Sequence, residues 1–125
     1  MKIAIAKEGN DVSSHFGRCP QFTIVDVESN KLIKKETINN PGHRKDFLPQ
    51  FFYDKGIDCI IAGGLGHRAS MLFEDKGIKV IVGVTGDIDK VIDNMLKGTL
   101  EGGESLCEPG KGKGYGIEKV NEDRI

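Results

Sequence analysis

Apolar and polar positions follow two different periods along the chain. Lys2 to Ala6 is mostly apolar (Ile3-Ala4-Ile5-Ala6) and predicts a strand buried on both faces. Gln21 to Val27 reads as a second strand. Glu28-Ser29-Asn30-Lys31 is a polar tight turn, and Lys31 to Ile38 is a third strand with an alternating pattern. So short a turn makes the second and third strands an antiparallel hairpin. The first strand reaches the second without a helix, so that pair also runs antiparallel where it pairs.

Asn39-Asn40-Pro41-Gly42 stops the third strand, and the period then changes. A helix is predicted over roughly Asp46 to Lys55, with Phe47, Leu48, Phe51 and Phe52 on one face. Asp46 can cap it, Pro49 is tolerated in its first turn, and Gly56 ends it. Ile57 to Ala62 is a fourth strand. Gly63-Gly64-Leu65-Gly66 turns it into a second helix that ends at Gly77, with Leu65, Ala69, Leu72 and Phe73 inward. Ile78 to Val82 is a fifth strand. Asp87 to Lys97 is a third helix, with the cleanest pattern of all (Ile88, Val91, Ile92, Met95, Leu96), and Gly98 stops it. From Thr99 onward the pattern fades, and Gly102-Gly103 and the glycines from Gly110 to Gly116 read as a flexible tail. The expected organisation is one α/β domain over 1–100 and a Gly-rich tail over 101–125.

Connection rules convert this order into geometry. The third, fourth and fifth strands are joined through helices, so they lie parallel with right-handed crossovers. The second strand opposes its neighbours, so the first points the same way as the other three. The loops after these four strands therefore open on one rim, where open α/β sheets bind ligands.

The richest of those loops is Ser13-Ser14-His15-Phe16-Gly17-Arg18-Cys19-Pro20. It is longer than a hairpin needs and carries an imidazole, a guanidinium, a thiol and two hydroxyls. The other loops bring His43 and Arg44, Gly64 to Arg68, and Thr85 to Asp87.

Composition narrows the functions such a rim can serve. A chain of 125 residues with 18 basic and 19 acidic side chains has a net charge of −1, so any attraction for an anion is local. No nucleic-acid partner and no membrane are expected, since no apolar run approaches a span and the phenylalanines lack basic interleaving. Cys19, Cys59 and Cys107 have no C-x-x-C spacing, which points to free thiols in a reducing, cytoplasmic setting.

All 3 histidines fall on the rim, and each has an arginine close in sequence: His15 with Arg18, His43 with Arg44, His67 with Arg68. Imidazole ligates borderline metals and guanidinium presents a fork of donors to anions, so together they suit a ligand both metallic and negatively charged. Solvated histidines beside solvated arginines are the plain alternative. Cys19 is either a soft ligand or a residue packed under Pro20, whereas Cys59 belongs to the core. Gly64-x-Gly66-x-x-Ala69 follows a strand and opens a helix, as a dinucleotide fingerprint does, with Asp87 as the acidic residue further on. The alternatives are a tight turn for close packing, or a general anion site at the helix start worth roughly 0.3–2 kcal/mol.

Three stretches resemble the dinitrogenase iron–molybdenum cofactor biosynthesis family (the NifX and NifB C-terminal type). They are Met1-Lys2-Ile3-Ala4-Ile5-Ala6, the loop Ser14-His15-Phe16-Gly17-Arg18-Cys19-Pro20 with Phe22, and Ile60 to Ala69. The resemblance spans about residues 1–100. It implies a ribonuclease H-like three-layer α/β/α domain with a five-stranded mixed sheet of order 3-2-1-4-5, strand two antiparallel. It also implies binding of iron–molybdenum cofactor, its iron–sulphur precursor or another molybdenum–sulphide cluster, with His15 as the implicated ligand. No radical-SAM domain accompanies these stretches, so the cluster-building activity of larger members does not carry over. Nuclease chemistry needs paired carboxylates that the first strand lacks.

The function expected from the sequence is therefore a non-enzymatic carrier of an anionic metal–sulphur cluster, working between donor and acceptor proteins. Ser14, His15, Phe16, Gly17, Arg18, Gly64, Gly66 and Arg68 would form the cofactor site, with His15 and Cys19 as metal ligands. A small nucleotide- or phosphate-binding module using Gly64 to Ala69, or a ligand-free interaction domain, are the competing readings.

Overall fold

Alternate residues of the first strand, β1 (Lys2–Glu8), feed two separate cores, and the whole architecture follows from that. A computed structural model of the chain describes residues 1–42 and 47–97. In it β1 is followed by a two-residue strand, β2 (Asp11–Val12), then β3 (Gln21–Glu28), β4 (Lys31–Asn39) and α1 (Phe47–Asp54). The chain continues as β5 (Cys59–Ile61), α2 (His67–Asp75), β6 (Lys79–Ile81) and α3 (Ile88–Lys97).

The sheet order is β4-β3-β1-β5-β6, with β2 paired to β1 off that path. β1 pairs antiparallel with β3 (Ile5 opposite Thr23) and parallel with β5 (Ile5 opposite Ile61). β5 and β6 are parallel, and β3 and β4 form the antiparallel hairpin. The five expected strands thus occur in the expected order and directions. β2 is an addition: two residues are too few to leave a period in the sequence, and they are held by pairing Lys7 with Val12.

Odd-numbered β1 residues Ile3 and Ile5 join Val25, Cys59, Ile61 and Ile81 beneath α3, which contributes Ile88, Val91, Ile92 and Met95. Even-numbered Ala4 and Ala6 join Phe22, Ile24 and Ile60 on the other face, covered by Leu48 and Phe52 of α1 and Phe73 of α2. Ile3 to Ala6 are buried throughout, as a strand between two helical layers must be. The result is the expected three-layer α/β/α arrangement.

β4 is the exposed edge. Leu32 and Ile33 are 40% and 60% exposed, and a register shift between Asp26 and Val27 interrupts the ladder beside them. Lysines at 31, 34 and 35 blunt that edge against pairing with another chain. Lys35 also meets Asp89 of α3, an exposed ion pair that adds little stability. No helix among the described residues is long and apolar enough to cross a membrane. His43, Arg44, the capping role of Asp46, the stop at Gly98, Cys107 and the tail over 101–125 all lie outside the described residues.

Candidate functional site

The loops that leave β1, β4, β5 and β6 are tied together by main-chain hydrogen bonds. Ser13 N donates to Ala6 O at 2.8 Å, which folds the long loop back over the end of β1. Gly63 N then donates to Ser13 O (2.9 Å) and Phe16 N to Gly64 O (3.1 Å), which joins the His15 loop to the turn after β5. Gly83 N donates to Gly63 O (3.0 Å), Val12 N to Gly86 O (2.9 Å) and Ile88 N to Asn10 O (2.9 Å), adding the turn after β6. Asn40 N donates to Pro20 O (2.9 Å) and adds the end of β4.

Two glycines make the closest of these approaches possible. A Cβ on Gly63 would fall 2.8 Å from Ser14 Cα, and one on Gly64 would fall 2.9 Å from Ser14 O. Both are shorter than any side chain tolerates, so close packing of two loops accounts for Gly63 and Gly64. Gly66 has open space around it and caps α2 with no side-chain hydrogen bond, and the first turn of α2 carries no acidic residue. The start of that helix therefore favours an anion.

Within the His15 loop the side chains sort by depth. The Phe16 ring is 1% exposed, with ring centres 4.9 Å from Phe22, 5.5 Å from Phe73 and 5.7 Å from Phe52. It pins the loop to the α1/α2 core. Ser13 is buried: its Oγ accepts from His15 N at 3.1 Å and stands 3.2 Å from His15 O and 3.4 Å from Glu8 Oε1. Ser14, His15 and Arg18 are exposed, and so are Gly66, His67 and Arg68 on the adjoining loop and helix start; Gly17 and Gly64 are half-buried.

Cys19 lies on the inner side of the loop. It is a free thiol, 2% exposed, and its Sγ donates to Phe16 O at 3.0 Å. Burial pushes its pKa up to about 11; the Glu8 charge adds to the rise, while nearby backbone N–H groups of Lys7, Cys19 and Gln21 partly offset it. A thiol held in that way favours packing over metal ligation, which requires the thiolate. Cys59 is fully buried in β5, as expected of a core residue, and among the described residues Cys19 is a free thiol.

The sequence-expected residues therefore separate into two groups. His15, Arg18, Gly66 and Arg68 are exposed on loops that hydrogen-bond to each other, whereas Phe16 and Cys19 are the loop's anchors in the core. Two participants were not singled out by the sequence. Nothing in the sequence distinguishes Ser13 from Ser14, and Asn40 lies in a stretch that reads as a strand stop. The Asn40 carboxamide donates through Nδ2 to Gly17 O (3.1 Å) and Cys19 O (2.7 Å), and its Oδ1 accepts from Gly42 N (2.8 Å). Among the described residues no three His, Cys, Asp or Glu side chains cluster as a metal cage.

A three-layer α/β/α domain whose carboxyl rim carries exposed imidazoles, guanidinia and an open helix start is the class that fold and rim define. The chain belongs to the dinitrogenase iron–molybdenum cofactor family, whose sequence profile matches residues 1–98. It is similar to an uncharacterised protein of Methanocaldococcus jannaschii, with 34% identity over 106 residues, 81% of this chain and 90% of that one. Among solved structures it is similar to the crystal structure of a protein designated PH0822, with a TM-score of 0.76 and 36% identity, covering 81% of this chain and 93% of that one. It is also similar to the solution structure of a Thermotoga protein described as a candidate NifB protein, with a TM-score of 0.66 and 26% identity, covering 90% and 98% of the two chains. The chain is thus a protein related to the iron–molybdenum cofactor of dinitrogenase.

Proposed function

We propose that this protein is a non-enzymatic carrier of an iron–molybdenum or other anionic metal–sulphur cluster, which it takes from a donor protein and yields to an acceptor, in the cytoplasm. The observation that carries this reading is the hydrogen bond from Phe16 N to Gly64 O, which joins the loop of His15 and Arg18 to the loop and helix start of Gly66, His67 and Arg68. His15 would ligate metal. Arg18 and Arg68 would neutralise sulphide or organic-acid charge, each charged hydrogen bond worth about 1.5–3 kcal/mol. The amides at the start of α2, with no side-chain cap, would donate to the same cargo.

The donor set fits a cargo rather than a resident group. A carrier must release what it holds, so few strong ligands suit it, and burial keeps the Cys19 thiol protonated in the core. Cys19 would then act through packing. The nucleotide reading loses its main support, because the close approach of Ser14 already accounts for Gly64.

Anaerobic reconstitution with iron, sulphide and molybdate tests the proposal through absorption spectra and elemental analysis. Wild-type protein is expected to retain metal and sulphide. His15→Ala, an exposed position, should lose that retention with an unchanged circular dichroism spectrum and melting temperature. Unchanged metal stoichiometry in His15→Ala removes His15 from the site, and protection from heat by ATP or NAD in place of metal sulphide overturns the carrier reading.

A further inference from the structure

The His15 loop has its carbonyl groups largely occupied from within. Ser13 O accepts from Gly63 N, Phe16 O from Cys19 Sγ and Pro20 O from Asn40 N, while Gly17 O and Cys19 O both accept from the Asn40 carboxamide. A carbonyl oxygen on a binding surface attracts bare cations and repels anions, so a loop with its acceptors engaged and a guanidinium outside is biased towards anions. Asn40 matters most in this arrangement. It flanks Arg18 on both sides, binding the carbonyls of the residues before and after it, and its Oδ1 accepts from Gly42 N to brace it in return.

We infer that Asn40 is a positioning residue that sets the ligand preference of this loop: by engaging the Gly17 and Cys19 carbonyls it fixes Arg18 on the rim and makes the site take metal as an anionic sulphide complex in preference to a bare divalent cation. The preference rests on the carrier reading above; the clamp itself does not.

Two variants separate the clamp from simple charge. Asn40→Asp keeps the shape and the Gly42 contact but can donate to neither carbonyl when ionised; Asn40→Ala removes the clamp without adding charge. Amide hydrogen exchange is followed at Phe16, whose N–H closes the loop onto Gly64, and at Val91 and Ile92 of α3 as a control for global stability. Both variants are expected to exchange about tenfold faster at Phe16 with α3 unchanged, as the loss of two neutral hydrogen bonds implies. Binding of tetrathiomolybdate should weaken by about tenfold in both, while ferrous ion binding strengthens in both, since each variant frees the Gly17 and Cys19 carbonyls. Wild-type exchange at Phe16 in either variant overturns the clamp. Wild-type thiomolybdate affinity in Asn40→Ala overturns its role in ligand preference. If wild-type protein binds neither probe, the carrier reading and the ligand preference fall together, and the exchange arm still decides the clamp.

Discussion

Phe16 and His15 are neighbours with opposite duties. The phenyl ring is locked among Phe22, Phe52 and Phe73, and that holds the preceding imidazole on the exposed side of the loop. Cys19 is the second inward residue, and its protonation state ties the loop to stability. Its folded pKa, about 11, lies above the ordinary value of 9.0, so the folded state keeps the proton after the unfolded chain has lost it. The resulting stabilisation is complete below about pH 9 and is lost as pH rises towards about 11. Urea titrations from pH 8 to 11 should give midpoints that fall over that window in wild type and fall less in Cys19→Ala. Equal slopes would mean that the thiol titrates alike in both states. The sequence leaves Cys19 open between ligand and packing residue, because spacing carries no information about which side of a loop a side chain occupies.

At the scale of elements, the joint between the His15 loop and the turn after β5 is where local sequence and function meet. Gly64 adjoins Ser14 O so closely that a methyl group there must push the loops apart. Gly64→Ala is therefore expected to destabilise the protein by about 1–3 kcal/mol and to reduce cargo retention, whereas Gly66→Ala, with open space, should change stability by less. Chemical denaturation of the two variants checks the contrast, and equal costs would show that the joint yields. Strand order was legible because direction rules act on connection lengths: helices between β4, β5 and β6 force parallel crossovers, and the short turn before β4 forces a hairpin. What was not legible has equally physical causes. β2 is too short to show alternation. Asn40 lies in Asn39-Asn40-Pro41-Gly42, whose composition reads as a breaker, and the partner carbonyls it clamps lie 21 and 23 residues away in sequence. Gly64 and Gly66 share a motif in the chain, yet one is a packing glycine and the other caps a helix.

For the whole molecule, the net charge of −1 offers no long-range pull on an anionic cluster, so the proposed capture would depend on the exposed Arg18, His67 and Arg68. Such local attraction between exposed charges is screened: the screening length shortens from about 10 Å at 0.1 M salt to about 3 Å at 1 M. Thiomolybdate affinity measured by spectral titration should accordingly drop severalfold across that range. Salt-independent affinity would assign the holding force to direct metal ligation alone. The two helical layers do not enter this balance directly; they supply the rigidity against which the loops are set.

Gly63, Phe16, Gly83, Val12 and Ile88 fasten those loops to one another from backbone amide to backbone carbonyl. A scaffold knitted in that way is indifferent to the letters hung on its outer side. Positions 14, 15, 18 and 67 stand exposed outside that knitting, so one frame could change its proposed guest by rewriting only its fringe.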